Sequence, residues 1–228
     1  MNLALKEGVI ARQPQRVRTR ARFDQVLDAA EALVCEEGLS GFSIPVLAER
    51  LGYTRASIYK FFPTPYAVLN ELAQRQLSRL EERLTRRAAS TVDLSWQDAM
   101  RAISFEAVDF YNETRIARLL LLGAPVTDDS YRALELLIQR LGGLTRQIME
   151  PRGIFLPTTK PDAATLMVEL GTSCFRVSQF LHGEITPEYR DEAVRAMAAY
   201  LGLYVEGQNI APVTPLRLAR AISKGRSS

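Results

Sequence analysis

Apolar side chains recur three and four positions apart along nearly the whole chain from residue 20 onward, and that spacing excludes most folds at once. A strand needs alternation in twos, and no persuasive run of it occurs. No internal repeat is present either, so the fold class is all-α, with about nine helices. The first helix shows Val26, Leu27, Ala30, Leu33 and Val34 on one face and stops at Gly38. Ser43 caps a second helix whose Leu47, Ala48 and Leu51 share a face; Pro45 falls in its first turn, where a missing donor does little harm. Gly52 ends it, and Thr54 caps a third helix running to Phe62. The pair Thr64-Pro65 opens a long fourth helix through Val68, Leu69, Leu72, Gln76, Leu80 and Leu84.

Residues 90–95 read as a turn. A fifth helix then places Trp96, Met100, Ile103, Ala107, Phe110 and Tyr111 on one side, and a short sixth spans Arg115 to Leu122. The seventh begins near Asp129 and carries Tyr131, Leu134, Leu137, Ile138, Leu141 and Ile148. The eighth, about Asp162 to Leu181, shows Leu166, Met167, Leu170, Cys174 and Val177. The ninth, about Pro187 to Glu206, shows Val194, Met197, Tyr200, Leu201 and Tyr204.

Composition narrows the function. The 228 residues are 47% hydrophobic and 24% charged, which is neither a disordered nor a membrane composition. No apolar run approaches the roughly 18 residues of a membrane span, and the first ten residues lack a signal peptide's apolar core, so a cytoplasmic protein is expected. Cys35 and Cys174 sit far apart in helical patterns and read as reduced packing residues; with one histidine in the chain, no metal site and no cofactor are expected. His182, next to Gly183, reads as a helix-end residue.

Charge is distributed unevenly. Residues 1–22 carry Lys6, Arg12, Arg16, Arg18, Arg20 and Arg22 against Glu7 alone, and residues 217–228 carry four cations and no acid. The overall charge is only +3, so the stretch between them is acidic. An acidic body with basic termini fits arms that seek an anionic surface; for residues 211–228 a merely solvated tail reads as well.

Three short helices and a longer one, broken tightly at "LGYT" between the second and third, form a helix-turn-helix candidate. Ala48 is small enough for the third helix to cross closely over the second, and Gly52 can take the positive φ of the turn. Ile58 and Phe62 anchor the third helix, which leaves Arg55, Ser57, Tyr59 and Lys60 on its outer side. Short polar groups near a helix start, with cationic and phenolic groups beyond, suit a DNA major groove.

The run "VLDAAEALVCEEGLSGFSIPVLAERLGYTRASIYKFFPTPYAVLNEL", Val26 to Leu72, resembles the DNA-binding domain of the TetR family of bacterial repressors across four consecutive helices. Farther on the likeness is architectural, with "HGEITPEYRDEAVRAMAAYL" similar to the end of many family C-terminal domains. The resemblance implies an N-terminal three-helix DNA-binding domain, joined by a long helix to a C-terminal helical ligand-binding and dimerisation domain. The divisions expected are a basic arm at 1–22, the reading domain at 23–66, the body at 67–210 and a basic tail at 211–228.

Carried over residue by residue, the resemblance makes Thr54 the phosphate-contacting cap of the recognition helix. It brings Arg55, Ala56 and Ser57 to base edges, sets Tyr59 and Lys60 on phosphates, and places the Ser43 cap close to the DNA backbone. Pro65 and Pro45 stand where the family often has lysine or another polar residue, so those contacts are absent. Phe61 replaces a common histidine or tyrosine and either packs inward or meets sugar and thymine methyls. Arg18 and Arg20, with Arg12, Arg16 and Arg22, would follow the backbone or enter the minor groove.

The resemblance also implies a ligand cavity inside the fourth to seventh helices. Met100, Ile103, Tyr111, Leu119, Leu134, Met167 and Cys174 are the candidate lining, and the scarcity of inward charges suggests a small apolar or aromatic effector. The last two helices would pair with a second copy, and the homodimer would repeat the recognition helix about one DNA turn away on a near-palindromic duplex operator. An enzyme on this helical body is the competing class, but no Ser/His/Asp set, carboxylate pair or glycine-rich phosphate loop is visible. A TetR-like DNA binder without an effector is the nearer alternative.

Overall fold

The computed structural model describes residues 7–123, 128–159 and 161–205. Among them the chain forms nine α-helices and no strand: α1 (Val17–Gly41), α2 (Ile44–Leu51), α3 (Arg55–Tyr59), α4 (Pro65–Ala89), α5 (Trp96–Glu113), α6 (Arg115–Leu121), α7 (Asp128–Met149), α8 (Ala163–His182) and α9 (Pro187–Val205). Short 3-10 turns lie at Glu7–Val9 and Glu150–Arg152. The expected all-α fold is therefore the observed one.

Capping chemistry fixes most helix starts. Ser43, Thr64, Ser95 and Asp162 each accept a hydrogen bond from the backbone N–H three residues on, at α2, α4, α5 and α8. Gly38 lies at φ 74° inside the span of α1, so the helix breaks where the sequence marks a stop and resumes only briefly.

Two cores share one helix. The head core gathers Phe23, Val26, Ala30 and Val34 of α1, Ile44 and Leu47 of α2, Ile58 of α3, and Phe61 and Phe62. Its α4 members are Ala67, Val68 and Leu72. The same helix then gives Ala73, Leu77, Leu80 and Leu84 to the body core, built with α5 to α9. Helix α4 is thus the beam on which head and body both rest. Ion pairs from Arg75 to Asp28 (2.5 Å) and from Arg79 to Glu31 (3.2 Å) tie that beam to α1. Asn112 of α5 donates to the Ile185 carbonyl and accepts from the Ile185 N–H, both at 2.9 Å, which pins the α8–α9 connection.

Several expected faces are corrected. Residues 1–22 are not all arm: α1 begins at Val17, because Val17–Arg22 lacks glycine and proline and continues the helical period of Phe23 and Val26. Just before it, Val9 and Ala11 are buried, the Arg12 N–H donates to the Phe61 carbonyl (2.7 Å), and Thr64 and Asn70 donate to the Gly8 and Val9 carbonyls (2.7 and 3.0 Å). This segment is a strap across the head. Tyr131 of α7 and Leu166, Leu170 and Val177 of α8 are exposed rather than inward. Helix α8 is apolar on most of its circumference, so periodicity alone does not single out its buried side. Glu206 and the 211–228 tail lie outside the described residues.

Candidate nucleic-acid interface and internal chamber

The break between α2 and α3 is built by Gly52 at φ 62°, a backbone region that side chains other than glycine rarely adopt. Tyr53, next in line, donates from its hydroxyl to Gln25 of α1 (2.8 Å), and the Arg22 guanidinium lies 4.2 Å from its ring centroid. The turn is thereby fastened to α1, a role for Tyr53 and Arg22 that the sequence pattern did not reveal. Thr54 then caps α3: its hydroxyl oxygen accepts from the Ser57 N–H (3.3 Å), and the Ser57 hydroxyl donates to the Thr54 carbonyl (2.7 Å).

Beyond the cap, facing divides the residues sharply. Ile58 and Phe62 are fully buried, and Phe62 stacks on Phe23 with centroids 4.7 Å apart. Phe61 is also buried and meets Phe23 edge-on at 5.7 Å, so the open question about this ring is answered: it packs inward. Arg55, Ala56, Tyr59 and Lys60 are exposed on the other side, with Thr54 exposed at the cap and Ser57 half-buried. Ser43 is half-buried and spends its oxygen on the Val46 N–H (3.4 Å).

The cations near this face differ in availability. Arg20 donates to Gln13 (3.1 Å) and lies 3.5 Å from Asp24, and Arg50 is paired with Glu36 at 2.7 Å. The Arg50 guanidinium in turn holds the Glu36 carboxyl below its ordinary pKa. By contrast, Arg12, Arg16, Arg18, Arg55 and Lys60 are exposed and have no side-chain partner among the described residues. Uncompensated cations around a rigid polar helix face are what a polyanion needs.

The second candidate site is inside the body. A chamber of about 90 Å³ is lined by α4, α5, α7, α8 and α9. Of the seven residues expected to line a cavity, it brings together Met100, Ile103, Tyr111 and Met167. The other three lie elsewhere. Leu119 packs against the head core, because α6 leans on α1 and α4. Leu134 faces a separate cleft with Leu39, Tyr66 and Leu120. Cys174 is half-buried one position away, where desolvation and then Glu192 raise its thiol pKa. A wider cleft of about 770 Å³ lies between α5 and α9, but Asp98, Arg101, Asp191 and Arg195 line it beside Trp96 and Phe105. Among the described residues no cluster of His, Cys, Asp and Glu could hold a metal ion, and no helix is long and apolar enough to cross a membrane.

The described residues thus form a helix-turn-helix head with an outward polar helix, set on a helical body. Residues 26–72 match the family described as bacterial regulatory proteins, tetR family, so this part of the chain is similar to that family's DNA-binding domain. The fold of the whole agrees. A TetR-family transcriptional regulator from Streptomyces coelicolor superposes with a TM-score of 0.60 at 23% identity, covering 80% of this chain and 99% of that one. A putative TetR-family regulator from Mesorhizobium loti gives 0.56 at 15% identity, over 84% and 98%. SmeT, the repressor of the Stenotrophomonas maltophilia multidrug efflux pump SmeDEF, gives 0.57 at 18% identity, over 86% and 96%. Among proteins of curated function no match is found.

Proposed function

We propose that two copies of this chain grip a near-palindromic duplex operator and repress transcription until a small apolar or aromatic effector enters the body chamber. The observation that carries the reading is the split of the "TRASIYKFF" segment. Ile58, Phe61 and Phe62 fix the helix, while Arg55, Ala56, Tyr59 and Lys60 are left facing outward. Because the Ser57 proton is committed to the Thr54 carbonyl, Ser57 would meet a base edge as an acceptor, opposite an amino group. Arg55 reads bases beside it, Tyr59 and Lys60 hold phosphates, and Arg18 adds to them from the first turn of α1. Arg20, held by Gln13 and Asp24, contributes only if it exchanges those partners.

The dimer rests on the outward side of α8. Leu166, Leu170, Val177 and Leu181 repeat along it beside Phe180, which is 87% exposed, and Tyr204 of α9 is exposed as well. An apolar stripe of that length on a soluble helix is suited to a partner. Repression then ends by linkage: the effector must bind better to a body whose two heads no longer match the groove spacing. A specific observation favours the runner-up, a DNA binder with no effector: about 90 Å³ is well below the roughly 300 Å³ of an ordinary ligand pocket.

The test is selection of bound duplexes from a random library, followed by titration of the recovered site at several salt concentrations. A palindromic site is expected, with the Lys60→Ala variant binding more weakly and losing about one unit of salt slope. If no sequence is enriched, or if affinity ignores both salt and the substitution, the reading is wrong.

A further inference from the structure

The chamber is unusual in what surrounds it. The chain has five methionines, and the four beyond Met1 (Met100, Met149, Met167 and Met197) all line this space. No charged side chain does. Methionine is unbranched and adapts its shape at small cost, so a wall with four of them can yield where a wall of leucine cannot. Met197 lies against bare backbone at Gly171, where an added Cβ would sit 2.6 Å from its sulfur. If Met197 swings away, the notch over Gly171 becomes free volume.

The polar atoms are as telling. Tyr111 is buried, lines the chamber, and its hydroxyl makes no hydrogen bond among the described residues. Burial raises its pKa, so the phenol is neutral and able to donate. Thr172 is likewise buried on the lining with no partner for its hydroxyl, whereas the Ser104 hydroxyl is spent on the Met100 carbonyl at 2.7 Å. Both residues are buried, yet their hydroxyl oxygens are not sealed off by protein, so each opens onto the chamber, where a bound molecule can supply the missing partner. An apolar cavity of about 150 Å³ suffices for benzene; the present space is about 90 Å³, and the Gly171 notch under Met197 is where the remainder would open.

Resting on the effector reading above, we propose that the chamber takes an uncharged, ring-sized molecule with one hydrogen-bonding group, of the simple phenol class. Tyr111 and Thr172 read that group, and Met197 withdraws from the Gly171 notch to admit the ring. A charged relative is excluded, because nothing in the lining compensates an ion.

Calorimetry of the full chain with p-cresol, toluene and benzoate tests the proposal. Wild type should bind p-cresol about tenfold more tightly than toluene, the difference one satisfied buried hydrogen bond makes, and should not bind benzoate. Tyr111→Phe removes a single oxygen and keeps the packing; with it, and with Thr172→Val, the two neutral probes should draw to within about threefold. Equal binding of p-cresol and toluene to wild type would overturn the hydroxyl reading yet leave the chamber as an effector site. Binding of benzoate as tight as that of p-cresol overturns the neutral class. If none of the three probes binds, the proposal fails, whereas the effector reading fails only if no compound of a broad apolar and aromatic set raises the melting temperature of the full chain.

Discussion

The two cores of this molecule are filled in opposite ways. The head is closed by three mutually packed rings, Phe23, Phe61 and Phe62, stiff groups with few rotamers that hold α3 to α1. The body has rings of its own in Phe110, Tyr111 and Phe175, but it keeps a void, and four methionines stand around it. A surface that must match the spacing of DNA phosphates needs the first kind of core. A compartment that is to admit a molecule needs the second. The contrast assigns rigidity and adaptability to different ends of α4, which belongs to both.

Removing the head's anchor should break the comparison most severely. Phe62 is fully buried and stacked on Phe23, so Phe62→Ala is expected to cost about 3–5 kcal/mol, a large part of an ordinary domain's stability. Denaturant unfolding followed by far-UV dichroism would measure it. Operator binding should fall with it, while toluene or p-cresol binding to the body should survive if the two cores are separate. Loss of both together would show that head and body unfold as one unit.

The sequence made the head legible and the body only in outline. Each head helix packs on one side, so its apolar period names its inner residues, and the Ser43, Thr54 and Thr64 caps stand where the pattern puts them. Phe61 stayed open because it lies between outward Lys60 and inward Phe62, so helical phase left it at the boundary, and its packing on Phe23 of α1 decided it. The strap was hidden by the charge around it: Lys6 and Arg12 flank the apolar Val9 and Ala11 and make the segment read as a basic arm. In the body, a residue's helical phase tells that it is buried but not what it faces. Met100, Ile103, Tyr111 and Met167 face the void, while Leu119 and Leu134, on equally good faces, meet other helices. Helix α8 defeats the method altogether, since Leu166, Leu170 and Val177 are apolar toward the outside.

A middle-sized effect sits where α7 meets α8. Asp162 caps α8 by accepting from the Thr165 N–H (2.8 Å), and it pairs with Arg146 of α7 at 2.5 Å. Burial pushes its carboxyl pKa up, but the Thr165 hydrogen bonds and the Arg146 guanidinium outweigh that, and the net shift is downward. A carboxyl with a depressed pKa in the fold contributes stability above its unfolded value near pH 4 and loses it as pH falls through the folded value. Asp162→Ala is therefore expected to cost about 1–2 kcal/mol at pH 7, and the gap to wild type should begin to narrow below about pH 4. Melting curves from pH 7 down to 2 would follow it, and a gap that does not narrow at all over that range would rule out the carboxylate as its source.

The smallest expected effect lies at the joint and sharpens the comparison most. Gln76 is fully buried on α4, among the residues where its head contacts give way to its body contacts. Its carbonyl oxygen accepts a long bond from Arg79 (3.3 Å), and its amide nitrogen has no partner among the described residues. An unpaired buried amide destabilises a fold, so neither core is well served by it. Gln76→Met keeps the length and removes the amide, and Arg79 keeps its bond to Glu31. The substitution should stabilise the chain by about 1 kcal/mol, a rise of roughly 2–4 °C in melting temperature. A lower melting temperature would mean that the amide is satisfied in solution, by water in a joint that is wetter than its burial suggests. With a gain, the decisive measurement is operator affinity with and without bound ligand. If the ligand's effect shrinks in the variant although both sites are intact, the poorly satisfied joint is what lets the adaptable core move the rigid one.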